Sequence, residues 1–399
     1  MTMQRSAVVI LCGALLLASG AAAAPSTETP ASLLVFPLVS VDAGRAVDTE
    51  IRLTNIGGAP QAVRCVYVDG SLAAGTSSAF QFLLTAQQPV AWRASQGATV
   101  ALAGGRVPAV PAAPFNGTLR CVSAESDGTP TAADVLVGTA TILRGGASPD
   151  SAAYAATGFS ATGTSADEPD VLVLGGPQSE YQACPAELAL QPFLDEATVL
   201  LGSDGSVQRT TATTIALATC SSDPVGCAAA TVDLRLVNEL GQQFTARRAL
   251  REFLLSDLSR LDTATPSRSI FNAAVAGSAS GNLRITPTSP GSGVLAVALT
   301  ALAPAAGAAH RVAVSPQLLG ERGAPGDLVD LAVPTPPATC AGDCNGDGTV
   351  AINELITGVN IALGSAALTS CPAFDADDNG SVAINELIAA VNAALNGCG

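Results

Sequence analysis

The sequence contains no lysine: all 18 basic residues are arginine, and the only histidine is His310. These absences exclude Schiff-base chemistry, a phosphate-loop lysine and a metal centre built from several histidines of one chain. Aromatic residues are also scarce, because one tryptophan and three tyrosines leave little material for stacking against sugars. We therefore expect a protein that is not an enzyme.

The net charge of −15 restricts the partners that the chain can bind. Nucleic acids and anionic membrane surfaces both select clusters of basic side chains, so neither is an expected partner. Residues 1–24 combine Arg5, an apolar stretch and a run of small residues, a pattern typical of a secretory signal peptide. No later apolar run is long enough to insert into a membrane. We expect a secreted protein, either extracellular or at the cell envelope.

Ten cysteines are present, and nine remain after removal of the signal peptide. In an exported chain, most of them are expected to form disulfides. Four cysteines lie in the last 60 residues and allow three pairings, whereas the upstream cysteines are odd in number. Cys220 and Cys227 are close enough in sequence to close a small loop. The upstream set is Cys65, Cys121, Cys184, Cys220 and Cys227, and the C-terminal set is Cys340, Cys344, Cys371 and Cys398.

Between residues 31 and 332 the chain shows short apolar runs of period two, separated by Gly, Pro, Asp and Ser. Many short strands at this spacing are typical of antiparallel β-sandwiches. One amphipathic stretch, 246–261, predicts a helix because its leucines fall on one helical face. The runs that predict strands are Leu33–Val41, Glu50–Asn55, Ala62–Val68, Phe80–Leu84, Leu119–Ser123, Ala133–Leu143, Val171–Leu174, Thr213–Ala218, Thr231–Val237, Leu283–Thr286, Val294–Leu299 and Arg311–Val314.

Two twelve-residue segments near the C-terminus match the calcium-loop pattern D-x-[DN]-x-[DN]-G-x5-E. They are Asp343–Glu354, DCNGDGTVAINE, and Asp375–Glu386, DADDNGSVAINE. Calcium takes six to eight oxygen ligands, and this spacing turns alternate side chains towards one ion while glycine makes the sharp bend. Two Ca2+ ions are therefore predicted. The predicted ligands are Asp343, Asn345, Asp347, Thr349 through its carbonyl group and Glu354, then Asp375, Asp377, Asn379, Ser381 through its carbonyl group and Glu386.

Each loop is followed by a predicted helix. The first runs from Glu354 to Leu363 before Gly364, and the second from Glu386 to Leu395 before Gly397. No helix is expected to precede the first loop, because Pro334–Gly342 contains three prolines. The repeated unit is therefore loop–helix, with an offset of 32 residues. Each helix carries an apolar stripe: Leu355, Ile356, Val359 and Leu363 in the first, and Leu387, Ile388, Val391 and Leu395 in the second.

This arrangement resembles the dockerin type I repeat, and the resemblance covers Cys340 to Cys398. It implies an EF-hand-like module that folds on calcium and docks onto a cohesin-like or cell-surface partner, often in a polysaccharide-degrading assembly. The sequence departs from the family at loop positions 10 and 11, where the usual small hydroxylated pair is replaced by Ile352-Asn353 and Ile384-Asn385. The four cysteines are also not typical of cellulosomal dockerins.

The upstream region resembles exported bacterial proteins built from immunoglobulin-like sandwiches. The segments that carry this likeness are Asp48–Asn55 with Val63–Val68, and Glu180–Pro185 with Leu236–Glu239. The predicted fold class is mainly β: two immunoglobulin-like antiparallel β-sandwiches followed by a small α-helical dockerin-like loop–helix pair. The predicted divisions are a signal peptide (1–24), a first sandwich (31–165), a second sandwich with one helix (170–332), a Pro-rich linker (333–339) and a calcium-binding domain (340–399).

Three functions remain open on the sequence alone. The first is a secreted, non-catalytic protein whose tail is a calcium-stabilised attachment or docking module. The second is a component of a polysaccharide-degrading or cell-surface assembly that binds a cohesin-like partner. The third is a hydrolase of unrecognised type in the β region. The residues weighed for it are His310, which is expected to be structural or exposed, and the carboxylate pairs Asp167-Glu168 and Asp195-Glu196, which are expected to be solvated turn residues.

Two further clusters are assigned no function. Arg247, Arg248 and Arg251 are expected to form a solvated face of the predicted helix. Trp92 and Phe80–Phe82 are expected to lie in the core rather than to form a ligand platform.

Overall fold

A computed structural model of the chain places much of its length in antiparallel strands. The described residues are 25–70, 77–146, 149–163, 170–176, 179–200, 208–220, 230–264, 269–288, 293–304, 310–323, 326–331, 342, 344, 350–374 and 381–396. The predicted signal peptide (1–24), the predicted linker (333–339) and large parts of both predicted calcium loops lie outside these residues.

The first part of the chain forms nine strands. Valine, isoleucine, threonine and aromatic residues alternate with polar ones along many of them, which suits the two faces of a pleated sheet. Their bounds are β1 (Leu33–Val41), β2 (Val47–Asn55), β3 (Gln61–Asp69), β4 (Ser78–Leu84), β5 (Pro89–Arg93), β6 (Phe115–Ala124), β7 (Leu136–Arg144), β8 (Asp150–Ala155) and β9 (Thr157–Phe159).

The second part adds twelve strands and three helices among the described residues. The strands are β10 (Val171–Leu174), β11 (Pro185–Leu190), β12 (Thr198–Leu200), β13 (Gln208–Thr219), β14 (Ala230–Asn238), β15 (Gln243–Leu250), β16 (Phe253–Asp257), β17 (Gly281–Pro287), β18 (Val294–Pro304), β19 (His310–Val314), β20 (Gln317–Glu321) and β21 (Asp327–Asp330). The helices are α1 (Ala273–Ala276), α2 (Ile352–Ala362) and α3 (Ile384–Asn396). Each of the runs that predicted a strand overlaps one of these strands.

The strands form four sheets and one two-stranded ribbon. Sheet A has the order β4-β3-β6-β1-β9, and sheet B has the order β5-β2-β7-β8. Sheet C has the order β12-β13-β18-β19, with β16 also paired to β13, and sheet D has the order β15-β14-β17-β11-β20. The ribbon pairs β10 with β21. The four sheets are arranged in a ring that resembles a four-bladed β-propeller.

The predicted pair of immunoglobulin-like sandwiches is therefore wrong. The reason is visible in β1, where all nine residues are buried because both faces of sheet A are covered. On one face, Leu34 belongs to a core cluster that also contains Trp92 of sheet B. On the other face, Leu33 lies in a cluster with Leu172 of the ribbon and Leu295 of sheet C. A sheet that packs on both sides does not form one layer of an isolated sandwich.

The predicted helix at 246–261 is also wrong. This stretch contains most of β15, all of β16 and a 3-10 turn at Leu258–Leu261. Gly241, with a φ of 76°, lets the chain turn back after β14, and β15 then pairs with β14 through register partners such as Arg248 and Val232. Burial along β15 alternates with period two. The hydrogen bonds of the hairpin therefore override the helical spacing of the leucines.

Three disulfides lie within the described residues: Cys65–Cys121, Cys184–Cys220 and Cys344–Cys371. The expectation that Cys220 closes a small loop with Cys227 is wrong, because Cys220 bonds to Cys184. Cys227, Cys340 and Cys398 lie outside the described residues. Disulfides persist where the surroundings are non-reducing, so these bonds indicate such an environment for the folded chain.

Candidate metal centre

The two helices of the C-terminal tail begin close to where the loop pattern places them. Helix α2 starts two residues before Glu354, and α3 starts two residues before Glu386. Both glutamates therefore lie in the first turn of a helix, where a negative charge is stabilised by the unpaired N–H groups. Gly364, with a φ of 72°, follows α2 as expected. The prediction of two helices after the loops is confirmed.

Glu354 is held in place by its own loop and its own helix. The side chain is 3% exposed. Its Oε2 accepts a hydrogen bond from the backbone N–H of Ala351 at 2.8 Å, and its Oε1 accepts one from Cys344 at 2.9 Å. Cys344 occupies position 2 of the first predicted calcium loop. The carboxylate therefore joins the start of the loop to the start of the helix.

Glu386 repeats this arrangement in the second unit. It is also 3% exposed, and its Oε2 accepts a hydrogen bond from the N–H of Ala383 at 2.7 Å. Ala383 stands three residues before Glu386, as Ala351 does before Glu354. The two repeats thus place their position-12 glutamates in the same local geometry.

Of the ten predicted ligands, the structure describes Glu354, Ser381 and Glu386. Ser381 is exposed and lies three residues before the start of α3. The others, Asp343, Asn345, Asp347, Thr349, Asp375, Asp377 and Asn379, lie outside the described residues. Within the described part of the chain, no three residues of the His, Cys, Asp and Glu types converge on one point. The two predicted calcium ions stay a prediction.

The described carboxylates fit a hard cation by their chemistry. Ionised carboxylates are hard oxygen donors, and calcium takes such oxygens as ligands, often both oxygens of one glutamate. The predicted donor set contains only carboxylate, amide, hydroxyl and carbonyl oxygens in each repeat, which is the set that calcium prefers.

A small core holds the two repeats together. Phe374 and Cys371 are fully buried and share a cluster with Ile361 of α2 and Ala390 of α3. Gly358 makes room for the aromatic ring, because a Cβ atom at this position would lie 2.2 Å from Cε1 of Phe374. The Cys344–Cys371 disulfide joins the first loop to this core. The tail therefore has a small apolar centre that a disulfide joins to the first loop.

The outer face of each tail helix is apolar and exposed. On α2 the exposed fractions are 77% for Ile352, 57% for Ile356, 44% for Val359 and 73% for Leu363. On α3 they are 76% for Ile384, 56% for Ile388, 43% for Val391 and 77% for Leu395. We call these sets the α2 stripe and the α3 stripe. Matching positions in the two stripes are 32 residues apart and nearly equally exposed.

The sequence prediction of the stripes is partly correct. Leu355 and Leu387 were assigned to them, but both side chains pack against the tail core. Ile352 and Ile384 take their places at the N-terminal end of the exposed faces. Their 4-3-4 spacing with the three following stripe residues was the signal in the sequence that could have identified them.

The carboxylate pair Asp195-Glu196 consists of one buried and one exposed residue. Asp195 is 8% exposed, so the expectation of a solvated turn residue is wrong for it. Its Oδ1 accepts the N–H of Thr213 at 2.7 Å and its Oδ2 accepts the N–H of Ser259 at 2.9 Å. Glu196 accepts a side-chain hydrogen bond from Asn272. Asp195 thus links β13 to the 3-10 turn after β16.

Most of the remaining candidates that the structure describes lie in strands of the β region. His310 begins β19, and Arg247, whose cluster was expected on a helix, lies on β15 and bonds to Asp233. Trp92 is 3% exposed and donates a hydrogen bond to the hydroxyl of Tyr67 at 2.7 Å, so its assignment to the core is confirmed. Asp167 and Glu168 lie outside the described residues.

A scan against protein-family models finds no matching family, and a search of curated proteins finds no match either. The resemblance of the tail to dockerin repeats therefore depends on its motif and spacing alone. In the described part of the chain, no helix has both the length and the apolarity needed to cross a membrane.

Proposed function

We propose that this chain is a secreted, non-catalytic protein whose C-terminal tail binds two calcium ions and acts as a calcium-stabilised attachment or docking module. The observation that carries the proposal is the pair of buried glutamates at position 12 of the two loops. Both lie in the first turn of a helix, and both bond to a backbone N–H at the start of that helix. A duplicated calcium loop needs a glutamate at position 12 of each copy, and these two glutamates lie in the same local geometry at an offset of 32 residues.

Different residues of the tail would bind the ion, hold the loop in place and support the two repeats. When bound, calcium would join the oxygen ligands of a loop and stabilise their arrangement around the helix start. Glu354 holds the first loop against α2 through Cys344 and Ala351. Phe374 and the Cys344–Cys371 disulfide support both repeats from the core side. The helices are left free to present their outer faces.

The exposed stripes favour docking over a purely internal role. An apolar face that a helix does not bury in its own module is a common mark of an interaction site. In the dockerin family, the pair at loop positions 10 and 11 contacts the partner. Ile352 and Ile384 occupy position 10 in this chain, and they are 77% and 76% exposed. The alternative function is that of a component of a polysaccharide-degrading or cell-surface assembly, in which a cohesin-like receptor would bind this surface. Isoleucine at these positions favours an apolar contact.

Calcium titration by calorimetry on the oxidised chain tests this proposal. We expect two sites of modest affinity, with dissociation constants of about 10⁻⁴–10⁻³ M as in other extracellular modules. Glu354→Gln and Glu386→Gln should each weaken one site by at least about tenfold, because a neutral amide replaces the closing carboxylate. Glu125→Gln, an exposed carboxylate of the β region, is the matched control and should leave both sites unchanged. A folded chain that binds no calcium at millimolar concentration would contradict the proposal.

A further inference from the structure

The docking surface of the proposed function consists of the two exposed stripes on α2 and α3, and its partner has not yet been named. Each stripe follows the spacing i, i+4, i+7, i+11, so its four side chains are neighbours along one helix face. The exposed fractions of the stripe residues lie between 43% and 77%. The four residues of one stripe therefore expose roughly 500 Å², an area similar to the largest apolar patch on an ordinary monomer. The molecule carries two such patches.

The charge of these helices is as unusual as their apolar surface. Helix α2 reads INELITGVNIA and α3 reads INELIAAVNAALN, so each has one charged residue. These residues are Glu354 and Glu386, and both are buried. The exposed residues of both helices are therefore uncharged. Such a face has no charged group with which to select an oppositely charged partner, and it suits another uncharged apolar face.

The 4-3-4 spacing also indicates the shape of the partner. It is the spacing of the a and d positions along a helix that packs against a second helix. A stripe of this kind is complementary to a copy of itself, because the seam positions of two helices interlock. The α3 stripe repeats the α2 stripe residue for residue, with Ile, Ile, Val and Leu in the same order. The chain itself therefore supplies a matching surface.

The area is sufficient for a stable contact. Burial of both stripes of each copy would remove up to roughly 1,000 Å² per partner, compared with about 800 Å² per partner in a standard-size interface. Apolar area of this kind is the main favourable term in the association of proteins.

The charge of the tail opposes self-association unless cations are present. Residues 340–399 contain seven acidic residues and no basic one, so the tail carries a net charge of −7. Two bound calcium ions would reduce this net charge to −3. Repulsion between two tails grows with the product of their charges, so calcium would weaken it several-fold.

We infer that the tail associates with a second copy of this chain through the α2 and α3 stripes, and that calcium promotes this association. The inference rests on the proposed function for its calcium dependence. It names the partner of the docking module as the same chain, held by an uncharged helix-to-helix contact.

The test is sedimentation velocity on the oxidised, exported chain over a range of concentrations, with millimolar calcium or with a chelator. We expect a dimer in calcium and at least about a tenfold weaker dimer in the chelator, a change of about 1.4 kcal/mol in association free energy. Calorimetry on the same samples measures calcium binding separately. If calcium binds to two sites and the chain stays a monomer, the inference fails and the proposed function stands.

A pair of variants shows whether the stripes form the contact. Ile356→Glu with Ile388→Glu places a charge in the centre of each stripe and should weaken the dimer by at least about tenfold. Both positions are more than half exposed, so the fold of the tail should be unaffected. Ala362→Glu with Ala394→Glu is the matched control, because it adds the same charge at exposed positions to the side of each stripe. A dimer that survives the first pair, or one that both pairs weaken equally, would overturn the inference.

Discussion

At the scale of single residues, Asp327 shows how burial changes the chemistry of one carboxyl group. It is 1% exposed, its Oδ1 accepts the N–H of Gly293 at 2.7 Å, and Nε of Arg322 lies 3.4 Å from its Oδ2. Loss of hydration raises the pKa of Asp327, and the Gly293 hydrogen bond and the charge of Arg322 oppose this rise only in part. The folded protein therefore holds a proton on this group more tightly than the unfolded chain does.

The raised pKa of Asp327 predicts a loss of stability with rising pH. The contribution is fully present below the unfolded pKa of about 3.9 and is lost as the pH rises through the higher folded pKa, because the unfolded state releases its proton first. Asp327→Asn keeps an acceptor for Gly293 and cannot ionise. We expect the free energy of unfolding of this variant, relative to the unchanged protein, to increase across that pH range.

Urea unfolding at a series of pH values measures this difference. Glu28→Gln, at an exposed carboxylate, serves as the control and should give a difference that varies much less with pH. A difference for Asp327→Asn that decreases with pH would show that the pKa of the carboxyl is lowered in the folded state.

At the scale of elements, α2 can pack against the tail core because it contains a glycine, a residue with low helix propensity. Gly358 lies within the helix and is buried against Phe374. In an exposed helix, alanine is better than glycine by about 1 kcal/mol. Here the added methyl group would meet the aromatic ring, so the sign of the effect should reverse.

We predict that Gly358→Ala lowers the local stability of α2 by about 1–3 kcal/mol, the usual cost of overpacking a core. Hydrogen exchange of the α2 amides, followed by mass spectrometry, measures this local stability. Asn360→Ala, at an exposed position of the same helix, is the control and should not weaken protection. Phe374→Leu should partly rescue Gly358→Ala, because the smaller side chain leaves room for the methyl group. Unchanged protection in Gly358→Ala would show that Phe374 can move aside at little cost.

Two elements show where periodicity succeeds and fails as a predictor. The tail helices follow a loop pattern whose closing glutamate belongs to a helix start, so their positions could be read within two residues. The stretch at 246–261 has leucines at helical spacing, yet β15 also alternates with period two. Both periods were present in the sequence. Pairing of β15 with β14 decided between them.

At the scale of the whole molecule, the sheets share their cores. The Cys184–Cys220 disulfide connects two sheets. Cys184 directly precedes β11 of sheet D, and Cys220 directly follows β13 of sheet C. Both cysteines are buried in the same cluster as Leu33 and Val35 of β1 in sheet A. Loss of this disulfide should therefore lower the stability of sheet A, which is formed by the N-terminal part of the chain.

We predict that Cys184→Ala with Cys220→Ala lowers the global free energy of unfolding by about 3–4 kcal/mol, from the loop that the bond closes. Because the core is shared, amides of β1 and β6 should lose hydrogen-exchange protection together with those of β13 and β18. Removal of the Cys344–Cys371 bond is the control and should leave β1 unchanged. Loss of protection confined to sheets C and D would show that the two halves unfold independently.

The amino-acid pattern alone was enough to predict the β-rich character of residues 31–332, the position of many strands and the two loop–helix repeats of the tail. These features follow from local spacing, since the side chains of a strand or a helix face one way with a fixed period. The tertiary structure alone decided which sheets pack against one another and which cysteines pair. These outcomes depend on contacts between residues far apart in the chain, and the spacing within a short segment carries no information about them.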